Sequence, residues 1–177
     1  MTPRSECAIR PWAALYGARV SRKYFEDFQV GDVAEYGDKL VTADEIKEFA
    51  AEFDPQPMHL DEEAARHTIV GGLCASGWHT CAMMMRIIAD GFVLDSSSMG
   101  APGVEEIRWL APVRPGDRLR VRCEVLETRE PRSRPDFGFV RIKLDVLTDK
   151  DAGVMTSTST MMFARRTPRH ATAEAQS

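Results

Sequence analysis

The chain has 177 residues, a formal net charge of −4 and 44% hydrophobic residues, which is typical of a single soluble globular domain. A chain of this length buries roughly 70% of its unfolded surface, so it needs neither a disulfide framework nor a structural metal to fold. The mildly acidic charge does not indicate binding to nucleic acid or to a membrane surface, and no segment approaches the ~20 apolar residues of a membrane span.

The two ends of the chain are predicted to lie outside the folded domain. Residues 1–21 lack the uninterrupted apolar region of ~7–15 residues that a signal peptide has, so we interpret them as a loosely ordered N-terminal extension. Residues 167–177 are small and polar, which predicts a disordered tail. No two cysteines form a CxxC pair, and Cys74 and Cys81 lie in an apolar run of helical character, which favours buried, reduced thiols. We expect a cytoplasmic protein. The alternative to a buried structural thiol is a catalytic cysteine. The four candidates are Cys7, Cys74, Cys81 and Cys123.

The first predicted elements are a strand and a capped helix. After a Gly-Asp turn signal, residues 33–41 predict a strand. Thr42 and Glu45 have the spacing of a capping box, and apolar residues then recur at helical intervals. Pro55 disfavours a helical residue before it, so the helix is expected to end at Asp54.

A very apolar segment and four strands follow. Asp61 can cap a short helix, and residues from about Gly72 to Ala89 are apolar on nearly every face, which predicts one buried helix. Alternating residues then predict strands over 103–110, 119–126, 137–147 and 153–163. This order indicates an α+β protein and matches the hot-dog fold, in which an antiparallel sheet wraps around one long central helix. We predict a single domain of this kind over residues 22–166.

The segment Phe53-Asp-Pro-Gln-Pro-Met-His-Leu-Asp61 is the part of the chain most suited to chemistry. Asp54 and His59 lie five residues apart, and the intervening prolines stiffen the backbone. A histidine titrates near neutral pH and a carboxylate can serve as its partner or as a base, provided both are held rigidly. On spacing alone, a loop-capping aspartate and a packed histidine are the commoner explanation.

This segment resembles the signature of the MaoC-like family, which includes (R)-specific enoyl-CoA hydratases. The signature is Asp, any residue, Asn, Pro, an aliphatic residue, His, any residue, then Asp or Asn. Gln56 stands where the family often has asparagine, and we expect a shifted hydrogen bond there rather than lost chemistry. Five positions match the signature: Asp54, Pro57, Met58, His59 and Asp61. Three more segments resemble the family. Residues 24–32 resemble its N-terminal opening, residues 69–73 its entry to the central helix, and residues 109–117 its turn into the long strands.

The resemblance covers residues 22–165 and implies a hydratase or dehydratase that acts on the α,β double bond of an acyl-CoA thioester. Asp54 and His59 would handle the water as a coupled pair. A backbone N–H at the start of the central helix, at Gly72, would hold the thioester oxygen, although Gly72 could also form only a turn. Family members often carry a serine near the carboxylate. Thr80 could take that role or bond back to its own helix, and Ser76 on the same face is a rival.

The resemblance further implies no metal, no redox cofactor, and a homodimer or larger even assembly. His59, Asp61 and His67 match no helix-based zinc motif. His79 is expected to be a hydrogen-bonded core histidine, and His67 and His170 to be surface residues. Residues 83–85, three methionines, either fill the core or line an acyl tunnel. Arginines that could meet CoA phosphates, without any being assigned, are Arg108, Arg114, Arg118, Arg165 and Arg166.

Two other functions are compatible with the same fold. A hot-dog thioesterase would use Asp54 to activate a water for attack on the thioester carbonyl, but the spacing of Asp54 and His59 argues against it. A non-catalytic acyl-CoA-binding module would need no acid–base pair, and the intact pair weighs against it.

Overall fold

A computed structural model of the protein describes residues 22–131, 134 and 136–166. The helices are α1 (Ala43–Phe53), α2 (Pro57–Leu60), α3 (Glu62–Arg66) and α4 (Gly77–Ile88). The strands are β1 (Val33–Leu40), β2 (Ser98–Gly100), β3 (Val104–Trp109), β4 (Arg118–Arg129), β5 (Phe137–Thr148) and β6 (Gly153–Ala164). The predicted N-terminal extension and C-terminal tail, like His170 and Cys7, lie outside the described residues, so those predictions stay untested.

The described strands form one antiparallel sheet in the order β1-β4-β5-β6-β2, with β3 pairing with β6 alongside β2. The three long strands β4, β5 and β6 alternate between buried and less buried side chains, as their sequence predicts. Their buried side chains point to one face of the sheet and form the core with the inner side of α4. The α+β prediction is therefore confirmed.

The caps predicted around the first helices are present. Thr42 Oγ1 accepts the Glu45 N–H at 3.2 Å, and the Glu45 carboxylate accepts the Thr42 N–H at 3.1 Å. Helix α1 ends at Asp54, its C-cap, immediately before Pro55. Asp61 accepts a backbone N–H of α3 at 2.7 Å. Local sequence signals thus determine where these short elements begin and end.

The central helix α4 begins five residues later than predicted. Gly71 and Gly72 have φ angles of +66° and +151°, which lie outside the helical region, so the helix cannot include them. Ser76 is its N-cap, and its Oγ accepts the Trp78 N–H at 3.2 Å. After Ile88 the chain continues into a π-helical turn over Ala89–Val93. The prediction that Gly72 opens the helix is therefore wrong.

The prediction that α4 is buried on all sides is correct for one face only. Met83 and Met84 belong to the core, whereas Trp78, Ala82 and Met85 form an exposed stripe at helical spacing. The sheet of one chain reaches around only part of the helix, so this stripe has no cover within the described residues. No helix in the described part of the chain is both long enough and apolar enough to cross a membrane.

Candidate active site

The segment between α1 and α3 brings Asp54 and His59 to the same place. Asp54 is the C-cap residue of α1, and Gln56 occupies the N-cap position of α2, whose first residue is Pro57. His59 therefore lies on a short helix. The proline at the first helical position explains this, because its fixed φ suits that position and its missing N–H is not needed there.

Asp54 is held by two side-chain donors. Ser76 Oγ donates to Asp54 Oδ2 at 2.6 Å, and Gln56 Nε2 donates to Oδ1 at 2.7 Å. The pKa of Asp54 lies below its ordinary value, chiefly because of the hydrogen bond from Ser76 and then because of the bond from Gln56 and the nearby His59. Partial burial raises this pKa, but by less than the other effects lower it. Asp54 is therefore a carboxylate at neutral pH.

His59 is buried, and its ring orientation is fixed from behind. Its Nδ1 lies 2.8 Å from the backbone oxygen of Cys74. A carbonyl oxygen can only accept a hydrogen bond, so Nδ1 carries a proton. In the neutral ring Nε2 then has a free lone pair, and this atom faces Asp54 Oδ2 at 3.6 Å.

A small donor beside Asp54 and His59 can reach both side chains. With the aspartate ionised and the histidine neutral, Oδ2 and Nε2 are both acceptors, so they form no hydrogen bond with each other. A water molecule has two O–H groups and can donate one to each. Such a water would be oriented by both residues and would have a base within reach of either proton.

The pair lies in the wall of a cavity of about 420 Å³, within the usual range for small-molecule sites. Apolar residues make up much of its wall. The Trp109 indole N–H donates to the Gly77 carbonyl at 3.0 Å, and the Trp78 and Trp109 rings meet edge to face, with centroids 5.6 Å apart. A Cβ on Gly77 would lie 2.6 Å from Trp109 Cε2, so glycine at this position lets the indole lie against the start of α4. The cavity can therefore hold an apolar group beside the polar pair.

Gly77, and not Gly72, is placed to offer a backbone N–H to a ligand. The first N–H groups of a helix have no partner within the helix, and the helix dipole is positive there. Gly77 is the first residue of α4 and lines the cavity. Gly72 is not among the lining residues, and its Cα faces Arg114, whose Nη1 would lie 3.0 Å from an added Cβ. The oxyanion role expected of Gly72 stays a prediction, and Gly77 is a further candidate for it.

Ser76, and not Thr80, provides the hydroxyl beside the carboxylate. Thr80 lines the cavity, but its Oγ1 donates to the Ser76 carbonyl at 3.2 Å, which is the back-bonding typical of threonine in helices. Ser76 donates to Asp54 and caps α4 at the same time. Ser76, which the sequence analysis named as the alternative to Thr80, is therefore the residue that contacts the carboxylate.

The chain also matches known proteins in sequence and structure. Residues 27–144 match the family model for the MaoC like domain. The chain belongs to the MaoC-like family. The crystal structure of a MaoC-like dehydratase from Rhodospirillum rubrum is 43% identical and covers 81% of this chain and 98% of its own, with a TM-score of 0.75. The uncharacterized protein YdeM of Bacillus subtilis is 32% identical over 79% of this chain and 98% of its own length.

A relative with a stated activity is the 3-hydroxybutyryl-CoA dehydratase of Methylorubrum extorquens, which is 30% identical over 63% of this chain and 69% of its own length. The family match and the structural similarity confirm the resemblance and the single hot-dog domain predicted from the sequence. At the level of the family, this MaoC-like protein is thus grouped with acyl-CoA hydratases and dehydratases.

The remaining histidines do not join the site. His79 is buried and stacks on Phe49 with ring centroids 4.6 Å apart. Its Nδ1 has no hydrogen-bond partner among the described residues, so the prediction of a hydrogen-bonded histidine is wrong for this atom. His67 is exposed beside Glu63, and within the described residues no group of three or more His, Cys, Asp or Glu side chains could hold a metal ion.

The described cysteines do not have the surroundings of a nucleophile. Cys74 lies beside His59, with Sγ 3.7 Å from Nδ1, but burial raises the pKa of its thiol. Burial also raises the pKa of Cys81, and that of Cys123 to about 11. A catalytic cysteine needs the opposite shift, so this alternative is disfavoured for all three.

The arginines considered for CoA phosphates each have partners within the chain. Arg114 donates to the carbonyls of Val70 and Leu73 and so ties the loop before α4 to the β3–β4 connection. The other four arginines pair with carboxylates: Arg108 with Glu106, Arg118 with Asp38, Arg165 with Glu26 and Glu130, and Arg166 with Asp27. None of the five is assigned to a phosphate.

Three contributors to the site were missed from the sequence. The Cys74 carbonyl fixes the His59 tautomer, Gly77 opens α4, and Trp109 forms a wall of the cavity. A backbone carbonyl leaves no trace in a residue pattern. Gly77 and Trp109 could have been noticed, because a glycine directly after a serine cap and a tryptophan at a strand end are both compatible with a site.

Proposed function

We propose that the protein is a hydro-lyase that adds water to, or removes it from, the α,β double bond of an enoyl-CoA thioester. The observation that carries this proposal is the placement of an ionised Asp54 and the free Nε2 of His59 3.6 Å apart in the cavity wall. The two acceptors cannot bond directly to each other, but one water molecule can donate to both.

In the hydration direction, Asp54 and His59 orient the water towards the β-carbon. The water oxygen bonds to that carbon while one of its protons passes to the pair, and a proton from the pair is delivered to the α-carbon. The pair returns to its starting protonation state, and one water is consumed for each double bond. The two residues titrate as a unit, so the protons are assigned to the pair.

Negative charge grows on the thioester oxygen as the water adds, and a preorganised donor lowers the energy of that state. The Gly77 N–H at the start of α4 takes this role in the proposal, in place of Gly72. The Ser76 hydroxyl keeps Asp54 oriented. Water addition changes no net oxidation state and the thioester itself acidifies the α-proton, so the proposed reaction requires no metal or redox cofactor.

The proposed assembly is a homodimer in which a second copy covers the exposed stripe Trp78, Ala82 and Met85 of α4. These apolar side chains lie on the side of the helix away from the core, and Trp78 contacts Trp109 of β3. β3 is exposed along most of its length, and contiguous apolar surface of this kind typically marks an interface. The protein is proposed to act in the cytoplasm, since the three cysteines among the described residues are free thiols.

The test is an assay of the pure protein with a short trans-2-enoyl-CoA, following enoyl absorbance and free thiol together. Loss of absorbance without thiol release is expected. Thiol release would indicate the thioesterase instead. Binding without either change, detected through the fluorescence of Trp78 and Trp109 in the cavity, would indicate a non-catalytic acyl-CoA-binding module.

A further inference from the structure

Gln56 connects the two members of the acid–base pair. Its side-chain Nε2 donates to Asp54 Oδ1 at 2.7 Å. Its backbone N–H donates to the Asp54 carbonyl at 2.7 Å, and its own carbonyl accepts the His59 N–H at 2.9 Å. One residue is therefore hydrogen-bonded to both Asp54 and His59.

The backbone around Gln56 is firmly placed. Pro55 precedes it and Pro57 follows it, and its φ and ψ of −83° and 143° lie in the extended region that a residue before proline prefers. Its side chain is exposed on one side and reaches the cavity. Packing does not confine this side chain, so the bond to Asp54 is what orients it.

The bond from Gln56 is made to the oxygen of Asp54 that does not face His59. Ser76 donates to Oδ2, which also faces Nε2 of His59, whereas Gln56 holds Oδ1. With one donor on each oxygen, the carboxylate cannot turn about its Cβ–Cγ bond without breaking a charge-assisted hydrogen bond. Among the described residues, His59 is the titratable group that faces Asp54.

We propose that Gln56 is a positioning residue that holds Oδ1 of Asp54 so that Oδ2 stays directed at the water shared with His59. This inference rests on the proposed hydration and extends it to Gln56, which stands where the family signature often has asparagine. The glutamine side chain reaches back two residues to the carboxylate.

The test compares Gln56→Ala and the isosteric Gln56→Glu with a matched control, Gln29→Ala, which removes an exposed glutamine that does not line the cavity. The readouts are kcat and KM for a short trans-2-enoyl-CoA as a function of pH, and the carboxyl ¹³C titration of Asp54, identified by its loss in Asp54→Asn. The second readout needs no turnover, so it remains informative if the protein is not a hydratase.

Gln56→Ala is expected to lower kcat about 10- to 100-fold with little change in KM, because a small misplacement of a catalytic group has effects of this order. The acid limb of the pH profile moves to higher pH, since loss of a donor to the charged form raises the pKa of Asp54. Gln56→Glu moves it further, because a second carboxylate opposes ionisation of the first. The control behaves as the wild type.

Two results would overturn the positioning role. A raised KM with an unchanged pH profile would show that Gln56 contacts substrate instead, and an unchanged profile with unchanged kcat would show that its bond to Asp54 has no consequence. If the wild type hydrates no enoyl-CoA while the Asp54 titration still moves in Gln56→Ala, the proposed function fails and the positioning of Asp54 stands.

Discussion

Replacing Ser76 with alanine removes two hydrogen bonds of different character. Ser76 Oγ accepts the Trp78 N–H at 3.2 Å as the cap of α4 and donates to Asp54 Oδ2 at 2.6 Å. Loss of a cap costs about 1 kcal/mol. A hydrogen bond to a charged group contributes about 1.5–3 kcal/mol, and the Asp54 side chain is 20% exposed, which places this bond at the low end. We expect the free energy of unfolding to fall by about 2.5 kcal/mol in total.

The matched control for Ser76→Ala is Thr42→Ala, which removes the cap of α1 but touches neither Asp54 nor the cavity. It should cost about 1 kcal/mol and leave turnover unchanged. Ser76→Ala should lower kcat/KM about 10-fold or more, and the acid limb of its pH profile should move to higher pH, because the pKa of Asp54 rises when its strongest donor is lost. Urea unfolding and enoyl-CoA kinetics measure the two effects. Equal stability losses in the two variants, with wild-type kinetics for Ser76→Ala, would show that Ser76 is only a helix cap.

Two further predictions concern stability and assembly. Burial lowers the pKa of His79, and smaller effects come from Glu45, which raises it, and Lys39, which lowers it. As the pH falls from about 7 to 5, His79 therefore binds a proton more readily in the unfolded chain than in the folded one. The free energy of unfolding of the wild type, measured by urea titration, should therefore fall over this pH range, and that of His79→Gln should fall less. An equal fall in the two proteins would contradict this. Met85→Asp places a charge in the exposed apolar stripe of α4 and should convert the proposed dimer to monomers in analytical ultracentrifugation, whereas an unchanged mass would place the interface elsewhere.

The parts of the fold that were predicted correctly depend on local sequence. Thr42, Glu45 and Pro55 act within a few residues of where they stand, and they set the limits of α1 as expected. Strand alternation likewise gave β4, β5 and β6. The start of α4 was misplaced because an apolar run does not show where a backbone leaves the helical region, and Gly71 and Gly72 do so through positive φ angles.

The parts of the site that were not predicted depend on contacts between distant segments. Asp54 and Ser76 are 22 residues apart, and His59 contacts the Cys74 carbonyl 15 residues away. Ser76 and Thr80 share a face of one helix, so periodicity could not choose between them. Once the chain is folded, the choice follows from which hydroxyl reaches the carboxylate and which is already bonded to its own helix.

Turnover of a short trans-2-enoyl-CoA by Asp54→Asn tests most directly whether Asp54 and His59 act on the water. The substitution keeps the shape of the side chain and removes its charge and basicity, while the Ser76 hydroxyl can still bond to the amide oxygen. A general acid–base group contributes about 10²–10⁴ in rate, and members of one unit are not additive. Our prediction is therefore that Asp54→Asn, like His59→Ala, hydrates at least about 100-fold more slowly while its fold and assembly are unchanged. A stable Asp54→Asn protein with near-normal turnover would contradict it, because Asp54 would then be only the cap of α1.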